Sequence, residues 1–153
     1  MTQLNQLLNT LESKISLHEK TNLCVSNATI GWQIEHSLKT ILEVVKATKN
    51  SNPANYKWKF NFNKFLVYTI NFIPRGRGKA PKIVRPEGTI TIKSLHDSLE
   101  NVRASLLDWD TLDNNAYFAH PYFGDVNKKS TEKFLILHTK HHLKIINDIC
   151  TQK

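Results

Sequence analysis

Three histidines crowd a single short stretch, Phe134-Leu135-Ile136-Leu137-His138-Thr139-Lys140-His141-His142-Leu143-Lys144-Ile145-Ile146. If this stretch is helical, each residue advances about 100° around the axis, and His138 shares its direction with Phe134, Ile145 and Ile149. His141 and His142 then fall about 60° and 40° to either side of it. All three imidazoles lie in the core-facing arc, and Lys140 and Lys144 face away. Leaving a polar group unpaired in a core costs roughly 1–3 kcal/mol, and the helix has already used its own carbonyls. A metal ion resolves this for two of the rings. Side chains at i and i+4 sit about 5–6 Å apart at Cβ, so His138 and His142 can converge on one ion at about 2.0–2.1 Å each. His141 is left for an outer contact or for substrate. The competing reading is a set of core histidines held by hydrogen bonds.

A metal needs further ligands, and the remaining histidines are His18, His36, His96 and His120. Spacing does not choose among them. On a helical wheel His36 lies about 160° from the centre of the Ile34/Ile41/Val45 stripe, the position of an exposed or groove histidine.

The elements that must position these residues are mainly helical. Leu4, Leu7, Leu8, Leu11 and Ile15 recur at three and four, predicting a helix over about residues 2–20. Ser26 or Asn27 can cap a second helix running to about residue 48, with Ile30, Ile34, Leu38, Ile41, Leu42 and Val45 on its stripe. The aromatic run from Trp58 to Phe72 reads as a short helix stopped by Pro74. It either closes one end of the bundle or offers a homodimer interface. A loop rich in Pro and Gly covers residues 74–88. Thr89 or Thr91 then opens a helix carrying Ile92, Leu95, Leu99, Val102 and Leu106. Residues 108–127 read as a long connection without strands, and Ser130 as the cap of a last helix over about 131–150. The fold class expected is all-α, a single bundle domain of four long helices with one additional short helix.

Composition narrows the classes. The chain has 153 residues, 40% of them hydrophobic, enough for one core and too ordered in composition for a disordered chain. No run of 18 apolar residues exists, so neither a membrane span nor a membrane partner is expected. The polar first ten residues lack a signal-peptide core, which points to the cytoplasm. Cys24 and Cys150 are far apart, which argues against a disulfide framework and for two buried or partly buried thiols.

The segment Thr29-Ile30-Gly31-Trp32-Gln33-Ile34-Glu35-His36 resembles the second-helix motif of the DinB/YfiT-like superfamily. His120-Pro121-Tyr122-Phe123-Gly124, followed by His138-x-x-His141-His142-Leu143, is similar to the C-terminal signature of an uncharacterised branch of that superfamily. The basic loop Gly78 to Pro86 looks like the same branch. The likeness runs from about residue 25 to about residue 150. It implies an up-down-down-up four-helix bundle with a metal ion on His36, His138 and His142, and three neutral imidazoles suit Zn(II) or Ni(II). In related sequences the last helix often carries Gln after the His-His-Leu segment; here Ile145 and Ile146 stand there.

Some members of that superfamily are thiol transferases, so the resemblance implies a metal- and thiol-dependent transferase or a metal-dependent hydrolase acting on a small molecule. His141 and His120 are the candidate proton carriers, since imidazole titrates near neutral pH. Residues 74–85 carry Arg75, Arg77, Lys79, Lys82 and Arg85 and no acid, five of the net +8. Arg75, Arg77 and Lys79 are candidates for holding an anionic low-molecular-weight thiol. A solvated loop is the plainer reading. No zinc-finger, RNA-recognition or helix-turn-helix pattern accompanies the charge, so nucleic acid is not the expected partner. The rival to the metal reading is a non-catalytic bundle binding a small ligand or a protein.

Overall fold

In the computed structural model, which describes residues 1–76 and 80–151, the leucine spacing at the N-terminus becomes helix α1, Thr2–Glu12, burying Leu4, Leu8 and Leu11. It stops short of the expected residue 20. The Ser13 hydroxyl turns back onto the Thr10 carbonyl at 2.8 Å, offering the backbone an alternative to continued helix. One 3-10 turn follows at Ile15–Leu17. It brings the His18 carbonyl onto the Gly31 amide at 2.8 Å. A Cβ on Gly31 would stand 3.0 Å from that carbonyl oxygen, so any larger residue would have to push the two segments apart by a few tenths of an ångström.

Helix α2 spans Ile30–Lys49, and its cap is Thr29, whose hydroxyl accepts from the Trp32 amide at 3.0 Å. The expected caps, Ser26 and Asn27, lie outside it. Ser26 instead accepts from the Ala28 amide and from the Gln33 side chain. Helix α2 is buried around most of its circumference: Ile34, Leu38 and Ile41 on one side, Gln33, His36 and Thr40 on others.

Helix α3, Phe62–Ile70, matches the short helix expected from the aromatic run. Asn61 caps it, and Asn71 in the left-handed region at φ 50° ends it three residues before Pro74. None of its residues is buried. Trp58, Phe60, Phe62, Phe65, Ile70 and Phe72 all face outward, so the run is not a plug for the bundle. A hydrogen bond from the Tyr68 hydroxyl to the Ser130 carbonyl, 2.8 Å, tethers it.

Helix α4 is Ile92–Ser105, opened by a reciprocal pair in which Thr91 and Ser94 each accept from the other's amide. It buries Leu95, Leu99 and Val102. The connection after it departs from expectation. Tyr117–His120 (β1) and Gly124–Asn127 (β2) form an antiparallel hairpin, with Phe118 opposite Val126 and His120 opposite Gly124. Gly124 takes φ 67° at the end of the turn, the left-handed position such short hairpin loops require. Helix α5 then runs Lys128–Thr151. It starts directly at the end of β2, because the Asn127 side chain accepts from the Ser130 amide at 3.1 Å; Asn127, not Ser130, is the cap.

Helix α2 packs between α4 and α5, and α1 closes the other side against both. The architecture is therefore a mostly helical bundle plus a two-stranded sheet, rather than purely α. The core runs through it from Leu8 and Leu11 to Ile34, Leu99 and Ile146. No helix among the described residues is long and apolar enough to cross a membrane. Both cysteines are free thiols, but Cys24 is exposed, contrary to expectation, since it sits in the turn before α2 rather than in a helix face.

Candidate metal centre

His36 decides the site. The wheel placed it off the apolar stripe, and in the structure it is 5% exposed. The two observations agree once α2 is seen to face a cavity on that side as well as the core on the other. Trp32, one turn earlier, stacks on the imidazole with ring centroids 5.0 Å apart and 18° between planes.

From α5, His138 and His142 approach His36 with ring centroids at 5.2 and 4.8 Å and stand 4.5 Å from each other. The rings meet at 56–71° rather than stacking, so their edges converge. One ligand atom of each of the three lies within 4.8 Å of those of the other two. Nitrogens on a tetrahedral zinc stand roughly 3.3 Å apart, given bonds of about 2.0–2.1 Å. Small rotations of the rings close that difference.

Two of the rings have their tautomer fixed from behind. His36 Nδ1 lies 2.8 Å from the Val84 carbonyl. A carbonyl only accepts, so Nδ1 carries the hydrogen and Nε2 keeps its lone pair. His142 Nδ1 donates likewise to Gln33 Oε1 at 2.6 Å, and the Gln33 amide is itself held by donating to Ser26 Oγ at 3.2 Å. Such outer acceptors orient metal-binding imidazoles and raise their basicity. The third ring differs: His138 Nδ1 is buried with no hydrogen-bond partner. An orphaned buried nitrogen beside two bare ones is the donor set a borderline divalent ion would satisfy.

Burial pushes the pKa of His36 below the ordinary imidazole value, opposed by the Val84 hydrogen bond. Burial first, then the neighbouring imidazoles, push His138 and His142 well below it. All three are neutral at neutral pH, the form that ligates.

His141 borders the same cavity, its ring centroid 5.1 Å from that of His142. Burial lowers its pKa first, followed by the charge of Arg75, while a hydrogen bond to the Ile73 backbone works the other way. His120 comes from the hairpin. Its Nδ1 accepts from the Tyr122 and Phe123 amides at 3.1 and 3.2 Å, and its ring stacks on Phe123 at 4.1 Å. Burial pushes its pKa down to about 4. His120 is thus a neutral imidazole that presents Nε2–H.

Arg75 is ion-paired with Asp148 of α5 at 2.6 Å, and Arg77 and Lys79 lie outside the described residues. The loop does contribute to the site, because Val84 supplies the carbonyl for His36. The residues that composition and spacing missed are Gln33 and Val84. Gln33 stood in the quoted motif without a role, whereas nothing in the sequence points to a backbone carbonyl. The cavity above the imidazoles has a volume of about 530 Å³.

Two outcomes follow from this geometry. Gln33→Leu keeps the volume and leaves the His142 N–H without an acceptor, so zinc affinity should fall about 10–100-fold. Competition with a chromophoric chelator measures it, and an unchanged affinity would remove Gln33 from the site. In the metal-free chain, His36, His120, His138 and His142 all have folded pKa values below the unfolded value of about 6.5. Between pH 6.5 and about 4 the unfolded state then binds protons that the folded state refuses. The stability these neutral rings provide is complete above pH 6.5 and lost as pH falls. Thermal melts should show the melting temperature declining from pH 7 to pH 5, and a flat or rising profile would contradict the assignment.

Compared with protein-family models, curated proteins and solved structures, the chain matches none.

Proposed function

We propose that this protein is a divalent-metal-binding helical bundle of the DinB-like type, with the up-down-down-up arrangement of that superfamily. His36, His138 and His142 would hold the ion, Zn(II) or Ni(II) being the best matched to three imidazoles. The observation that carries the reading is the convergence of these three rings, with two of them oriented from behind and Nδ1 of the third buried without a hydrogen-bond partner.

Three protein ligands leave coordination positions for a small molecule, as in catalytic rather than structural sites. When bound, such an ion lowers the pKa of a thiol or water and supplies a nucleophile near neutral pH. That chemistry fits a thiol-dependent transferase or a hydrolase. In either, Trp32 and Val84 fix the His36 ring, and the apolar cavity walls restrict water. His141 is the better placed of the two proton carriers, because it borders the ligand set. His120 would contribute a hydrogen bond from Nε2–H.

The alternative, a non-catalytic bundle whose histidines merely hydrogen-bond, leaves His138 Nδ1 unpaired. Titration of chelator-treated protein with Zn(II) separates the two. The expected result is one ion per chain with affinity that survives gel filtration; no retained metal would overturn the assignment.

A further inference from the structure

The cavity above the imidazoles is not only deep but chemically polarised. Its volume, about 530 Å³, is in the range of small-molecule sites. Most of its wall is apolar, Trp32, Val67, Ile73, Ile83, Phe118 and Phe134 among it, and no lysine or arginine among the described residues lines it. One charged side chain among the described residues does: Glu43 of α2.

Glu43 sits on the same side of α2 as His36 and Thr40, all three bordering the cavity. Seven residues separate it from His36, about 10 Å along a helix axis. The intervening Thr40 hydroxyl is spent on the His36 carbonyl at 2.8 Å, so it offers the cavity no free donor proton. Glu43 itself makes no hydrogen bond or ion pair among the described residues. Of the other carboxylates on or near the long helices, Glu12, Asp97, Glu100, Asp108, Glu132 and Asp148 are each paired with a cation, and Glu35, which accepts from the Ser98 hydroxyl at 3.3 Å, does not line the cavity. An unpaired carboxylate in a mostly apolar wall attracts a cation or hydrogen-bond donor and repels an anion, and in a partly water-excluded cleft it does so more strongly than in bulk water.

We infer that the cavity takes an elongated ligand with an apolar body, carrying a lone-pair donor at the three-imidazole end and an ammonium or hydrogen-bond-donating group at the Glu43 end. Glu43 is the residue that selects for that second end and against carboxylates. The inference deepens the metal reading and rests on it only for the end at the imidazoles.

Three thiols of matched shape test it: 4-(aminomethyl)benzyl mercaptan, 4-methylbenzyl mercaptan and 4-carboxybenzyl mercaptan. Each is titrated into Co(II)-treated protein, following the cobalt absorption spectrum, and into metal-free protein, following tryptophan fluorescence, since Trp32 lines the wall. The amine should bind tightest and the carboxylate weakest, at least about tenfold apart. In Glu43→Gln the amine and methyl compounds should converge to within about twofold, and Glu43→Lys should reverse the order in favour of the carboxylate. Circular dichroism checks that both variants fold, which the partial exposure of this position favours. A carboxylate that binds the native chain as well as the amine does, or an order unchanged in both variants, would overturn the inference. If cobalt binds and the order fails, this inference falls and the metal site stands. If cobalt does not bind and fluorescence still gives the order, the metal site falls and this inference stands.

Discussion

His142→Ala is expected to abolish retained metal. Apparent zinc-binding energies of about 10–16 kcal/mol for four-ligand sites, shared evenly, amount to about 2.5–4 kcal/mol per ligand. Loss of one ligand from three is then a drop of about two to three decades in affinity, before counting the loss of orientation through Gln33. The ring lies at the wall of an existing cavity, so its removal does not open a new hole in the close-packed core. The variant should therefore fold, although leaving Gln33 Oε1 without its donor costs about 1–3 kcal/mol, so its metal-free melting temperature should fall by about 2–12 °C. Lys140→Ala, on the exposed side of the same helix, is the matched control and should bind metal normally. Metal analysis after gel filtration reads both. Stoichiometric metal in His142→Ala would refute the ligand assignment.

Leu8→Ala should do the reverse, damaging the fold while sparing the site. Leu8 is wholly buried in α1, and α1 contributes no residue to the cavity wall. Truncating a buried leucine costs about 2–5 kcal/mol, the spread reflecting how far the surroundings collapse. For a chain of this size each kcal/mol shifts the melting temperature by about 2–4 °C, so a loss on the order of 5–20 °C is expected. Zinc at about a hundred times its dissociation constant should restore about 2.7 kcal/mol. The same zinc should restore nothing in Leu8→Ala/His142→Ala. Thermal denaturation with and without metal checks all four combinations. A Leu8→Ala chain with native stability would mean that α1 is not part of the core.

The helical skeleton was legible because its signals are local. The 3.6-residue stripes of α1, α2, α4 and α5 are set by which side meets the core, and Thr91, one of the two expected caps of α4, caps by hydrogen bonds within three residues. Where reading failed, longer-range contacts decided. Helix α1 ends early at Ser13, whose hydroxyl bonds back to Thr10, and the turn after it docks His18 on Gly31, a contact no local pattern reveals. The hairpin at 117–127 escaped notice because its strands are four residues each, too short for an alternation pattern to stand out. Yet Tyr117-Phe118 and a turn ending in Gly124 were a usable hint. Three histidines of α5 in one arc were visible as a problem for a core. That His36 completes the set came from resemblance to a family motif. Its wheel position alone argued for exposure, since a helix buried on two sides breaks the assumption of one apolar stripe.

His142 and its acceptor Gln33 are 109 positions apart in sequence, and that separation sets when the centre can exist. Closing so long a loop is an entropic cost met only once the helices have docked. The imidazoles therefore come together only as α2 docks on α5. An ion that binds them has little to hold before that point, so added zinc is expected to slow unfolding more than it speeds folding. Its stabilisation falls mainly on the reverse step, because contacts absent from the transition state slow unfolding. The centre works as a latch on a finished structure rather than as a seed for building one.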